Sequence, residues 1–185
     1  MSKALAPALS LLCAAALLAP AVPAHSAEGD LTLGVAPAYT SLPTRGQEGQ
    51  RGFGASLYSE LRFNSFWGLT AGTSWSYQLS SSRDELPGQH LGALWFGGLY
   101  NLDVASYVPF VTLSATAYLS EPTLQDEEGR RVNAGLRAGL GVDYRRSRRW
   151  SVGAEADLHS FLTDPGNYPV YLQVLLRLNA HFEAF

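Results

Sequence analysis

The amino-acid sequence predicts an all-β protein, an eight-stranded antiparallel up-and-down transmembrane β-barrel. Three observations predict it. From residue 30 onward the apolar residues recur at every second position, which is the period of a β-strand with two different faces. The connections between these alternating runs are long and short in turn. An apolar leader precedes the runs, and no later stretch has the length of a membrane-spanning helix.

The first 27 residues predict a signal peptide. Lys3 gives a positive start, an apolar run follows, and small residues end the segment. Cleavage after Ala24 and cleavage after Ala27 both fit this layout. We therefore expect one exported domain, an outer-membrane β-barrel domain over residues 28–185.

The composition excludes several classes of function. The formal net charge is −3, so the chain lacks the basic surface that nucleic acid requires. The single Cys and the single Lys, Cys13 and Lys3, lie in the leader, which excludes disulfides, thiolate metal sites and Schiff-base chemistry in the exported chain. Apart from His25 in the leader, the histidines are His90, His159 and His181. His159 and His181 lie near opposite ends of the barrel. We expect no metal site and no cofactor.

Eight alternating runs follow the leader. Each has about ten residues or more, which is the length that crosses a bilayer as a tilted strand. The fourth run is apolar at both parities, so the pattern leaves its two faces unassigned. The runs comprise residues 31–40, 53–63, 67–79, 90–102, 110–119, 132–144, 150–159 and 170–182.

The connections distinguish the two ends of the barrel. Long connections alternate with short turns, so the long loops gather at one end and the short turns at the other. That asymmetry is typical of outer-membrane barrels, whose short turns are periplasmic. The long and medium connections are 41–51, 80–89, 120–131 and 163–168, and the short ones are 64–66, 103–107 and 145–149.

The polar parity of the strands carries few charges and no Lys. A surface that meets water is normally rich in Lys and Glu, whereas balanced charges suit a closed interior, where an unpaired charge is costly. A secreted soluble barrel of lipocalin type, with the two faces exchanged, is the alternative. We expect an interior charge network that comprises Glu60, Arg62, Arg137, Glu155, Asp157 and Arg177.

The register of the last three strands brings opposite charges together. Centring the sixth connection near Ser147 places Arg137 opposite Asp157. Centring the seventh near Gly166 places Glu155 opposite Arg177. Directly opposed unlike charges stabilise a strand pair.

The apolar parity carries aromatic side chains near the strand ends. Such rings favour the two membrane interfaces, so they predict two girdles around an aliphatic band. The girdle at the short-turn end comprises Phe63, Trp67, Tyr144, Trp150 and Phe182, and that at the long-loop end comprises Tyr39, Phe53 and Tyr77.

With these features the exported chain resembles the small outer-membrane β-barrel family of OmpA/OmpX type. Residues 99–103, followed by 108–111, are similar to the strand–turn–strand around the second periplasmic turn of that family. The sequence ends on Phe185, which resembles the recognition signal of outer-membrane proteins, although its parity differs from that of the apolar face. The resemblance implies a fold and an outer-membrane location, and it implies recognition of the last strand by the barrel-assembly machinery.

Two charged connections suggest contacts with lipid. The turn between the sixth and seventh strands carries Arg145, Arg146, Arg148 and Arg149. These arginines either attract anionic phospholipid of the inner leaflet or form a solvated turn. The segment 125–131 in the third long loop is either a solvated loop or a bridge to lipopolysaccharide through divalent ions. Outer-membrane lipids and lipopolysaccharide are the expected partners, and we expect a monomer.

The function predicted from the sequence is structural, in envelope integrity or surface interaction, without catalysis. A lipid-A-modifying enzyme is the first alternative, because Asp157 and His159 share a face and Ser151 lies further along it. A narrow ion-conducting channel is the second. Porins need many more strands, since eight leave an interior that side chains fill.

Overall fold

The computed structural model describes residues 29–42, 50–79, 88–102, 106–122, 131–163 and 170–183. Within these ranges eight strands form one closed antiparallel barrel, in which each strand pairs with its neighbours in sequence and the last pairs with the first. The predicted fold class is confirmed. The strands are β1 (Asp30–Leu42), β2 (Gln50–Arg62), β3 (Trp67–Gln78), β4 (Gln89–Asn101), β5 (Tyr107–Pro122), β6 (Arg131–Arg145), β7 (Trp150–Phe161) and β8 (Tyr171–Glu183).

The barrel exposes its apolar residues and buries its polar ones. On β5 and β6, Leu113 and Leu140 are 63% and 65% exposed, whereas Thr112 and Arg137 on the same two strands are buried. This arrangement is the reverse of that in a soluble barrel, and it is stable only where apolar material surrounds the outer face. In the described residues, no helix has the length and hydropathy to span a bilayer.

Strand β4, whose faces the sequence left open, is apolar on both sides. Its inward side chains pack inside the barrel, and its outward ones join the band of apolar residues on the outer face, which we call the apolar belt. The inward apolar residues include Leu91, Ala93, Trp95 and Leu99, and the outward ones include Leu94 and Phe96.

Two of the short turns are closed by a polar side chain. The Asn64 carboxamide oxygen accepts hydrogen bonds from the backbone N–H groups of Phe66 and Trp67, at 2.9 and 2.8 Å. Ser147 Oγ accepts from the N–H groups of Arg149 and Trp150, at 3.3 and 3.1 Å. Asn and Ser favour turns because their side chains can replace a backbone acceptor.

The predicted register of the last three strands is wrong by two residues. Arg137 lies opposite His159 rather than Asp157, and Glu155 lies opposite Leu175 rather than Arg177. The tight turn after β6 is centred one residue later than Ser147, and a shift of one residue in a turn centre moves the pairing by two. Because the shift is even, every side chain keeps its predicted face.

Aromatic rings form a girdle at each end of the outer face. At the short-turn end Trp67 packs edge-on against Tyr100, with ring centroids 4.8 Å apart, and at the long-loop end Tyr39 packs on Phe53 at 6.2 Å. The outward rings near the short turns are Phe63, Phe66, Trp67, Tyr100, Tyr107, Tyr144, Trp150 and Phe182, and those near the long loops are Tyr39, Phe53, Trp75 and Tyr77. Sequence reasoning placed eight of these twelve at the same ends.

Several predicted features lie outside the described residues. They are the leader over residues 1–27, residues 125–130 of the charged segment 125–131, and Phe185.

Candidate functional site

The interior of the barrel contains a cluster of buried charges, which we call the charge network: Glu60, Arg137, Asp143, Glu155, Asp157 and Arg177. Its members come from β2, β6, β7 and β8, and each is at most 4% exposed. They lie on the inner parity of their strands, so the alternation of the sequence directs all of them into the lumen.

Arg177 is the centre of the charge network. Its guanidinium group donates to Glu60 Oε1 and, at 2.9 Å, to Glu155 Oε2. Its Nε lies 3.3 Å from Asp143 Oδ1. One cation on β8 therefore links carboxylates on three other strands.

Arg137 extends the charge network through Glu155. Its Nη2 donates to Glu155 Oε1 at 2.7 Å, and its Nε donates to Asp157 Oδ2 at 2.9 Å. Glu155 thus bridges the two arginines, one with each carboxylate oxygen. The predicted pairs, Arg137 with Asp157 and Glu155 with Arg177, each meet diagonally across their strands in spite of the shifted register.

Aromatic rings cover both guanidinium groups. The Arg177 guanidinium carbon lies 4.2 Å from the Phe110 ring centroid and 4.6 Å from that of Tyr58, and Arg137 lies 4.6 Å from Trp95. Cations are attracted to the faces of such rings, more strongly where water is excluded. The rings close the space around the charges as well as stabilising them.

A glycine makes room for one of these rings. A Cβ atom at Gly34 would lie 2.2 Å from the Tyr58 ring, so only glycine allows the ring to lie flat against β1. In that position the Tyr58 hydroxyl donates to the Asn179 carboxamide oxygen.

Two residues differ from the predicted network. Asp143, which the sequence reasoning left out, contacts Arg177; its shared parity with Arg137 on β6 was the signal that could have found it. Arg62 is buried on the inner face but makes none of the ion pairs described above. Its Nε and Nη1 have no hydrogen-bond partner.

A neutral polar layer lies between the charge network and the long loops. The Gln78 amide group donates to Thr40 Oγ1 at 3.0 Å and to Ser76 Oγ at 3.1 Å, and Ser76 hydrogen-bonds to the Tyr171 hydroxyl at 3.1 Å. These contacts link β1, β3 and β8 across the lumen. These side chains occupy the lumen on the long-loop side of the charge network.

The candidate catalytic residues do not form a triad. Asp157 is bound to Arg137, and the His159 Nδ1 pairs with the Tyr118 hydroxyl at 2.9 Å. Ser151 lies eight positions from His159 on β7, a separation of about 26 Å along a strand. A nucleophile and its base must lie within hydrogen-bond distance, so these residues cannot act together.

A different Ser–His contact, which sequence reasoning missed, lies at the short-turn end. Ser151 Oγ is 2.9 Å from His181 Nε2, and Thr32 Oγ1 is 3.0 Å from the other ring nitrogen. Asn179 also donates to Ser151, at 3.0 Å. Thr32 takes the place that a carboxylate holds in a catalytic triad, so these contacts lack the acid of such a triad. The predicted register of β7 and β8 places Ser151 directly opposite His181, so it could have revealed the contact. In the structure Ser151 lies opposite Asn179 and reaches His181 diagonally.

The arginine-rich turn is divided between two environments. Arg146, Arg148 and Arg149 are exposed at the short-turn end. The prediction for Arg145 is wrong, because this last residue of β6 has the inward parity and is only 6% exposed. Three of the four arginines are therefore exposed at this end of the barrel, rather than all four.

The three histidines within the described residues are dispersed. His90 is on the outer face, whereas His159 and His181 are inside the barrel at opposite ends. Over the described ranges, no three His, Cys, Asp or Glu side chains converge as a metal ion would require.

The sequence profile of the outer membrane protein beta-barrel domain matches residues 9–182. No curated protein sequence matches the chain significantly.

Solved structures of bacterial outer-membrane barrels resemble this one at low sequence identity. Neisserial surface protein A superposes with a TM-score of 0.66 at 13% identity, covering 84% of this chain and 99% of that protein. Ail, the attachment invasion locus protein of Yersinia pestis, gives 0.59 at 15% identity, with 84% and 100% covered. OprG of Pseudomonas aeruginosa gives 0.54 at 12% identity, with 86% and 98% covered. At such identities the likeness concerns the fold.

Proposed function

Because this chain belongs to the outer membrane protein β-barrel domain family, we propose that it is a structural component of the envelope whose lumen is closed by the charge network and which has no catalytic activity. Its location is the bacterial outer membrane, where its apolar belt meets lipid. The proposed role is envelope integrity or interaction at the cell surface.

The observation that carries this proposal is the set of contacts that surrounds Arg177 in the lumen. Three carboxylates and two aromatic rings surround its guanidinium group within one layer of the barrel. Buried ion pairs with this many contacts are costly to separate, because each partner would be left as an uncompensated charge. An ion would have to break them to cross the barrel.

Conductance across a planar bilayer tests this proposal against the narrow-channel alternative. We expect purified protein, refolded and checked for a heat-dependent shift in gel mobility, to insert without discrete conductance steps. Steps that change in size or selectivity in Glu60→Gln would show that the charge network conducts, and the proposed closed lumen would be rejected.

The lipid-A-modifying alternative is tested by mass spectrometry of lipid A from cells with and without expression of this chain. We expect identical lipid A species, because Ser151, His159 and Asp157 do not meet. A mass change that disappears in His159→Ala would establish catalysis and overturn the proposal.

The remaining partners follow from the membrane location. Outer-membrane lipids and lipopolysaccharide surround the belt, and Arg146, Arg148 and Arg149 are placed to attract anionic headgroups at the inner leaflet. We also propose export by the leader over residues 1–27, recognition of β8 by the barrel-assembly machinery, and a monomeric state.

A further inference from the structure

A groove of about 370 Å³ opens on the outer face of the barrel, across β3, β4 and β5. Trp75, His90, Gly92 and Leu119 line it. Pockets that hold small molecules have volumes of roughly 300–1,000 Å³, so the groove is large enough for part of a ligand.

The groove exists because a glycine lies between two large outward side chains. Gly92 pairs with Trp75 on β3 and with Leu119 on β5, and these neighbours are 53% and 49% exposed. The glycine has no side chain, so a notch separates the indole from the leucine. Toward the middle of the belt, the next outward residue of β4 is Leu94, which is 64% exposed and continues the apolar surface.

The end of the groove nearest the long loops is polar. His90 is the second residue of β4, and its ring lies 5.5 Å from that of Trp75 and 4.9 Å from that of Tyr77. Its Nδ1 has no hydrogen-bond partner. Trp and Tyr concentrate where hydrocarbon meets headgroups, so His90 is at the headgroup level of the outer leaflet.

We propose that this groove binds an acyl chain of lipopolysaccharide. The chain would lie in the notch over Gly92 and along Leu94, with the glycolipid headgroup beside the His90 imidazole. The inference rests on the proposed membrane orientation, in which the long loops are outside the cell. The outward belt is already a lipid interface, and the groove continues it at the level of the outer leaflet.

The groove must select its lipid by shape and hydrogen bonding. Lipid chains are as apolar as leucine, so burial alone gives no preference for one site on the belt. A notch that accepts a chain between Trp75 and Leu119 adds van der Waals contacts that a flat surface lacks. The imidazole adds a polar partner for the headgroup.

Substitution of Gly92 by leucine fills the notch, and the barrel offers a matched control. A Cβ atom at Gly92 would meet Leu119 at 3.7 Å, which is ordinary contact, so the backbone accepts the change. Gly98 is also outward on β4, and a Cβ atom there would have no neighbour within 4 Å. Gly98→Leu therefore adds the same side chain away from the groove.

Native mass spectrometry of the folded proteins, titrated with rough lipopolysaccharide and separately with phosphatidylethanolamine, tests the proposal. We expect Gly92→Leu to bind lipopolysaccharide about tenfold more weakly than the wild type, with Gly98→Leu unchanged. His90→Leu should keep binding lipid but lose its preference for lipopolysaccharide over phosphatidylethanolamine. Equal binding by Gly92→Leu and the wild type, or a wild type without that preference, would overturn the inference. Neither result would bear on the proposal that the lumen is closed, because bilayer conductance tests that proposal independently.

Discussion

Replacement of Arg177 by methionine removes the cation at the centre of the charge network. Methionine is unbranched and of similar length, so its thioether can still pack between the rings of Tyr58 and Phe110. The electrostatic change is larger than the change in packing. Glu60 and Asp143 lose the arginine contact described above, and Glu155 keeps only Arg137.

The expected loss of stability is large. Breaking a buried ion pair by removing one partner costs about 3–5 kcal/mol, because the other charge remains buried without compensation. With a urea dependence of roughly 1–3 kcal/mol per molar, the midpoint of unfolding should fall by about 2 M. Reversible unfolding in lipid vesicles, followed by the gel-mobility difference between folded and unfolded protein, measures the shift.

Two controls separate charge from general damage. Arg148→Met makes the same substitution in an exposed turn and should change the free energy of unfolding by less than about 0.5 kcal/mol. Adding Glu60→Gln to Arg177→Met should recover part of the loss, because it removes one of the uncompensated carboxylates. If the free energy of unfolding of Arg177→Met lies within about 0.5 kcal/mol of that of the wild type, the ion pairs of Arg177 do not stabilise the barrel.

Two further predictions concern the two faces of the wall. Leu57→Arg, at the centre of β2 on the lipid face, should lower the free energy of unfolding in vesicles by about 2–4 kcal/mol, whereas Leu79→Arg, at the long-loop end, should cost about 0–1 kcal/mol; equal costs would contradict the assigned depths. Gly34→Val should cost about 1–3 kcal/mol in the same assay, because its Cβ displaces the Tyr58 ring. Adding Tyr58→Ala should relieve that clash, and a Gly34→Val protein as stable as the wild type would show that the ring does not need the glycine.

The sequence was sufficient to predict the barrel, because the alternation of apolar and polar residues indicates the outer and inner face of each strand. Seven of the eight strands have one apolar and one polar parity, and in a membrane barrel that contrast identifies lipid and lumen without knowledge of the register. The two faces of β4 could not be assigned from its pattern, because Trp95 is an apolar residue that points into the lumen. Its ring lies over the Arg137 guanidinium group, a contact that depends on a side chain from another strand.

The details of the candidate site depended on the strand register, which an alternation pattern does not specify. A shift of one residue at the centre of the tight turn decides how β6 pairs with β7. The charges that meet could therefore be predicted, but their positions opposite one another could not. Arg145 follows the inward parity of its strand instead of joining the exposed turn, because β6 continues one residue further than its apolar run suggests. The Ser151–His181 contact has no signal in either strand alone.

The position of Arg177 also couples the order of folding to the neutralisation of charge. Its strand, β8, follows the other seven, and its partner Glu60 is 117 residues away in the chain. Contacts across such distances form late, since the entropy of loop closure must be overcome first. Until β8 docks, the carboxylates of Glu60 and Asp143 on the earlier strands lack the Arg177 cation. They can remain charged only while water hydrates them. We therefore expect the lumen to dry and the barrel to close in one cooperative step, so that a sheet of seven strands has no stable inserted form.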